Sequence, residues 1–294
     1  MNWQSTSGLF GSINKPPRWR KIPRNELCRA EAFLKKREKL FVAACARFLR
    51  LGENHGHLWF LPDREGEISA LLLHSRRTLF PVFDKNPRVS SPRFLSRFLG
   101  KIPIHALQGL REDTELLEIL MQAQGYFASE RIEYELMSLD NEPRPEALRS
   151  GPAGLILRRP LPEDEKQLFA LQSAYEQEEV LPVGAVFDPA ASRLNLQQIL
   201  SREHVLIAEL DSQVIGKINT SAQSFTRYQI GGVYVRPDCR GLGIGVKMTS
   251  VFAKSLLALG KGLTLFVKKR NAAACKVYRR AGFAVLADYR ITYY

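Results

Sequence analysis

The chain has 294 residues, 45% hydrophobic and 25% charged, with a formal net charge of +13. That balance belongs to a globular protein with room for two ordinary domains. No uncharged apolar stretch reaches roughly 18 residues, and MNWQSTSGLFGSINKPPRWRK has no apolar h-region, so neither a membrane span nor a secretory signal is expected.

Cys28, Cys45, Cys239 and Cys275 form no C-x-x-C pair and have no histidine at zinc-site spacing. Reduced thiols in a cytoplasmic protein are expected, and no metal. His55 and His57 have no acidic or cysteine partner to frame a site. Residues 1–50 hold 12 Lys/Arg against 3 Asp/Glu. Such an excess suits an anionic partner, nucleic acid among them, or a solvated basic helix with a tail. Aromatic residues are not interleaved as base stacking would need. No membrane partner is expected, and the oligomeric state is left open.

Residues 1–24 read as a basic flexible tail, with Pro16, Pro17 and Pro23 opposing regular structure. A helix follows over about 25–50, with Asn25 as its N-cap. HLWFLP, GEISALLLHS and RTLFPVF read as strands. A helix near 91–99, the strand KIPIHALQG, a helix from Glu112 to Gln124 and the strand RIEYELMSL complete the first half. NEPRPEALRSGPAG, residues 141–154, reads as a linker between domains at 25–144 and 150–294.

The second half repeats the rhythm. It has the strand GLILRR, helices at 163–179 and 190–202, and the hairpin HVLIAEL-DS-QVIGKINTSA. Then come the strand YQIGGVYV, a glycine loop, a helix to Leu259, the strand LTLFVKK, a helix from Asn271 and strands to the end. The same element order in both halves predicts an α/β protein with a mixed sheet, built from two copies of one fold.

The glycine loop is RPDCRGLGIG, residues 236–245, between the strand and an apolar helical pattern at Val246, Val251, Phe252, Leu256 and Leu259. A helix N-terminus presents unpaired N–H groups, and glycines let an anion approach them closely. Arg240 adds forked donors suited to phosphate oxygens. The glycines at 241, 243 and 245 do not fit G-x-G-x-x-G, and Lys247 is not placed for a Walker loop. A pyrophosphate or similar anion is the ligand class implied.

Arg240–Gly245, R-G-L-G-I-G, resembles the R/Q-x-x-G-x-G/A signature of the GNAT (GCN5-related) N-acetyltransferases. GGVYVRP resembles the preceding strand of that family. Asn271, Ala274, Tyr278, Gly282 and Phe283 are in register with its N-x-x-A-x-x-x-Y-x-x-x-G-F motif. The resemblance covers residues 150–294 and implies a fold with splayed central strands. It further implies acetyl transfer from acetyl-CoA to a primary amine by direct attack in a ternary complex. Val233, Tyr234 and Val235 would hold pantetheine. Arg240, Gly241, Leu242, Gly243, Ile244, Gly245 and Val246 would hold the pyrophosphate. Asn271 would fix the cofactor from the far side, and Tyr278 would protonate the departing thiolate.

Many relatives carry a glutamate on the strand before the loop. Here that strand is RYQIGGVYV, and Gln229 cannot take a proton. The acidic cluster YEQEEV offers Glu178 and Glu179 as bases instead, beside Glu176, with a solvated helix end as the plain alternative. Lys217 and Asn219 line the same pocket or face solvent. The first half has no such loop and reads as a degenerate copy or an accessory α/β domain. A CoA-binding regulatory module without turnover, contacting nucleic acid through the basic N-terminus, is the alternative function.

Overall fold

The structure, a computed structural model, describes residues 18–51, 57–84, 102–182 and 184–294. Most of the expected tail, the helix expected at 91–99 and His55 lie outside the described residues.

The first half opens with β1 (Arg20–Lys21), α1 (Leu27–Lys35) and α2 (Val42–Leu49), then β2 (Leu58–Pro62), β3 (Ile68–Ser75) and β4 (Thr78–Phe83). β5 (Ala106–Leu110), α3 (Arg111–Gln122) and β6 (Glu130–Leu139) follow. The single helix expected over 25–50 is two helices. The break turns Glu38 inward, where its carboxylate accepts from Thr226 N at 2.7 Å and Thr226 Oγ1 at 2.6 Å. A continuous helix would forfeit those bonds to a buried carboxylate. Asn25 lies inside a 3₁₀ turn, Arg24–Glu26, and caps nothing.

The second half begins after a short helix, α4 (Pro145–Leu148). It contains β7 (Ile156–Arg158), α5 (Glu165–Tyr175) continued by a π-helical turn at Glu176–Val180, and α6 (Pro189–Arg202). Next are β8 (Val205–Leu210), β9 (Gln213–Gln223), β10 (Arg227–Val235), α7 (Ile244–Leu257), β11 (Gly262–Lys268), α8 (Ala272–Ala281) and β12 (Ala284–Tyr293).

The halves share one wiring. In each, two antiparallel pairings lead into one parallel pairing, β2-β3-β4-β5 and β8-β9-β10-β11. One hairpin in each half turns on two residues of positive φ, Arg76–Arg77 between β3 and β4 and Asp211–Ser212 between β8 and β9. Two-residue turns of that hand match the natural twist of the strands they join.

The halves also interleave. Among the described residues twelve strands form one sheet in the order β1-β2-β3-β4-β5-β12-β6-β11-β10-β9-β8-β7. β12 runs between β5 and β6, and β6 pairs with β11. Each half's last strand thus covers an edge the other half would leave open.

Helices cover both faces of the sheet. α1 and α2 bury Ala30, Phe33, Leu34 and Cys45 on one face of the first half, and α3 buries Leu117 and Met121 on the other. α7 sets Ile244, Met248, Phe252 and Leu256 against Ile215, Leu263 and Leu265. α5 and α6 set Leu168, Leu171 and Leu196 against Ile207 and Val214. Segment 141–154 packs against the rest: Ala147 on α4 is buried, and a Cβ on Gly243 would lie 3.0 Å from Gly151 N.

Candidate active site

β10 and β11 pair only from Arg227↔Gly262 to Gln229↔Thr264. Beyond Gln229 they diverge, while β10 stays paired with β9 through Val235↔Gly216. The side of β10 facing β11 therefore carries backbone groups outside the ladder, and a cavity of about 580 Å³ fills the wedge.

A bulge shapes this edge, with the β10–β9 register shifting between Gly231 and Tyr234. Gly232 sits there at φ +58, where a Cβ would fall 2.0 Å from Asn219 Oδ1. Only glycine fits. Beneath it, buried Lys217 donates from Nζ to Gly232 O at 3.1 Å and to Asn219 Oδ1 at 3.1 Å. The ammonium lies 5.0 Å from the Tyr175 ring centre. Burial brings Lys217 down to about 7. Tyr175 is pushed up to about 12 by burial, against a hydrogen bond from the Gly232 backbone.

The glycine loop closes one end. Gly241 and Gly243 have φ +84 and +81, and Gly243 is the N-cap of α7. No atom lies within 4 Å of where a Cβ on Gly241 would sit. The loop backbone is thus open to a ligand at a fourteen-residue helix N-terminus, a fit to a pyrophosphate. Arg240 is anchored by Nε donating to Val235 O at 2.9 Å. Its Nη1 and Nη2 meet Glu178 Oε1 and Oε2 at 2.9 and 2.8 Å. That pairing holds the Glu178 carboxyl below its usual range.

Glu179 lines the same cavity. Its Oε1 accepts from Asn271 Nδ2 at 2.8 Å, and its Oε2 lies 3.4 Å from Lys268 Nζ. Asn271 also caps α8, accepting from Ala274 N at 2.9 Å. The Glu179 charge is felt by three tyrosines, Tyr134, Tyr175 and Tyr278. Burial raises the Tyr278 hydroxyl well above the usual tyrosine value, so it stays protonated at neutral pH.

The cavity is lined by Val233, Tyr234, Val235, Arg240, Gly241, Gly243, Ile244, Gly245, Val246, Asn271, Tyr278, Glu178 and Glu179. Leu242 is outside it, half exposed at the loop tip. Lys217 and Asn219 neither line the cavity nor face solvent; they are buried under its bulge. Sequence reading did not single out Tyr175, Lys268, Phe266 or Tyr134 as lining residues. Tyr134 comes from the first half, and no motif signals it. A tyrosine directly before YEQEEV's acidic run was the one available hint at Tyr175. Among the described residues no group of three or more His, Cys, Asp or Glu is placed to hold a metal, and no helix is long and apolar enough to cross a membrane.

The family model described as Acetyltransferase (GNAT) family matches residues 166–283. This segment is a GNAT domain. It contains β10, the glycine loop, α7, β11 and α8. The fold of the whole chain is similar to a GCN5-related N-acetyltransferase from Sphaerobacter thermophilus, at TM-score 0.60 and 17% identity, covering 94% of each chain. It is similar to a GNAT-family acetyltransferase from Colwellia psychrerythraea, at TM-score 0.55 and 10% identity, over 94% of this chain and 98% of that one. A tandem GNAT protein from the clavulanic acid biosynthesis pathway aligns at TM-score 0.57 and 13% identity, over 94% and 96%. These likenesses extend the GNAT fold across both halves. A search of curated proteins found no match to the chain.

Proposed function

We propose that this protein transfers an acetyl group from acetyl-CoA to a primary amine within a ternary complex. The carrying observation is that one cavity joins the open edge of β10, the glycine loop at the α7 N-terminus, Glu179 and Tyr278.

In this reading acetyl-CoA lays its pantetheine along Val233–Val235 and its pyrophosphate on Arg240–Val246. Glu179 takes a proton from the acceptor ammonium, directly or through water. The neutral nitrogen attacks the thioester carbonyl, and backbone N–H groups near Val233–Val235 stabilise the oxyanion. Collapse of the tetrahedral species breaks the C–S bond. Tyr278 then protonates the thiolate, for which a protonated hydroxyl is required. Glu178 is committed to Arg240, so Glu179 carries the base role. The scaffold supplies proximity and needs no covalent enzyme intermediate.

The test is thiol release from acetyl-CoA against a panel of amines, paired with calorimetry of acetyl-CoA binding. Release that persists after removal of residues 1–17, which leaves β1 and the buried Trp19 and Ile22 in place, supports the enzyme. Binding without release from any acceptor would replace it with a CoA-responsive module.

A further inference from the structure

The glycine loop occupies one end of the cavity, and the other end is built differently. Antiparallel register sets Phe266 opposite Leu136 and Lys268 opposite Tyr134. It sets Tyr134 opposite Tyr289, Ile132 opposite Ile291, and Glu130 opposite Tyr293. Paired residues share a face of the sheet. Phe266, Tyr134, Ile291 and Tyr293 therefore form one apolar, largely aromatic floor across three strands, and all four line the cavity. The rings are packed: Tyr134 meets Phe266 edge-on at 5.3 Å, and Phe266 stacks on Tyr289 at 5.2 Å. The first half contributes Tyr134, so this floor exists only because β6 is inserted beside β11.

The charges of the lining point the same way. The carboxylates are Glu178 and Glu179, against the cations Arg240, Lys268, Lys276 and Arg280. Glu178 is paired with Arg240, and Glu179 already neighbours Lys268. One ammonium can be met at Glu179. A second or third would find positive charge in a cavity of restricted dielectric, at a cost.

We infer that the acceptor is a small primary amine carrying a single positive charge on an aromatic body, with its ammonium at Glu179 and its ring on Phe266, Tyr134, Ile291 and Tyr293. Polyamines and lysine-rich peptides are selected against. The inference rests on the acyl-transfer reading above, and the face it names lies beyond the glycine loop and β10 edge that carry that reading.

Phenethylamine, spermidine and a lysine-containing peptide, each with acetyl-CoA, form the decisive comparison. Phenethylamine should show kcat/KM about tenfold or more above the other two. Tyr293→Ala, at the half-buried rim, should raise the phenethylamine KM by roughly two- to tenfold and leave the acetyl-CoA KM unchanged. Tyr134→Leu, which keeps bulk in the core, should do the same. Preference for spermidine or the peptide, or an unmoved phenethylamine KM in both variants, would overturn the inference. If no amine releases thiol, calorimetry on the CoA-loaded protein separates the two ideas. Phenethylamine binding that Tyr293→Ala weakens keeps the aromatic site and removes the acyl-transfer reading. Tighter spermidine binding, or none by phenethylamine, removes the site itself.

Discussion

Glu178 and Arg240 are joined by two hydrogen bonds, Nη1 to Oε1 at 2.9 Å and Nη2 to Oε2 at 2.8 Å. The acidic cluster at the end of α5 therefore reaches the arginine of the glycine loop. Both side chains are more than two-fifths exposed, so solvent screens the pair and its worth is about 0.2–1 kcal/mol. A phosphate would have to share or displace that carboxylate. Glu178→Gln should then tighten acetyl-CoA binding by roughly two- to fivefold. Arg240→Ala should weaken it about tenfold or more. Calorimetric titration with acetyl-CoA reads both, and no change in either variant would remove Arg240 from the cradle.

Glu179 and Tyr278 carry different proton transfers in the proposed reaction. Glu179→Gln and Tyr278→Phe should each lower kcat by about 10²-fold or more, with acetyl-CoA affinity within a factor of about three. Because burial raises Tyr278, its ionisation should cause no loss of rate up to pH 10. A Tyr278→Phe enzyme of unchanged kcat would show that the thiolate leaves unaided.

Among the described glycines, Gly232 leaves the least room for a side chain. A methyl group there would lie 2.0 Å from Asn219 Oδ1 and 2.9 Å from Lys217 Nζ, on a backbone at φ +58. Gly232→Ala should cost about 2 kcal/mol or more in urea unfolding. In an Asn219→Ala background the cost of Gly232→Ala should fall to about 1 kcal/mol, the part owed to the positive φ. Equal stability of the wild type and Gly232→Ala would mean the bulge is not held as described.

Lys217 predicts a pH dependence of stability. Burial lowers its folded value to about 7, against an ordinary 10.5, with Glu176 pulling the other way. Between those values the unfolded chain holds the extra proton, so wild-type stability from this group rises as pH rises through the window. Relative to Lys217→Met, the wild type should therefore be more stable at pH 9.5 than at pH 6.5. Urea unfolding of the pair at both values checks it, and a constant difference would place Lys217 in a wetter site.

Much of the glycine loop and its surroundings could be read along the chain. Arg240, Gly241, Gly243, Asn271 and Tyr278 sit within continuous motifs, and the strand–loop–helix junction is local chemistry: proline and glycine punctuation followed by helical periodicity. The repeated element order likewise anticipated two similar halves. The two-residue turns at Arg76–Arg77 and Asp211–Ser212 are local too, set by the twist of the strands they join.

Tertiary structure decided what local pattern could not. Strand periodicity says which face a residue occupies but not which strand lies beside it, so the order β5-β12-β6-β11 was illegible. That order brings Tyr134 of the first half beside Lys268 of the second, 134 positions later in the chain. The split of α1 from α2 depends on Glu38 finding Thr226 across the fold. Adjacent Glu178 and Glu179 are equivalent as sequence, and a π-helical turn sends one to Arg240 and the other to Asn271 and Lys268. Local propensity set the elements and the loop, while long-range pairing and burial chose their neighbours, and the neighbours set the chemistry each side chain can perform.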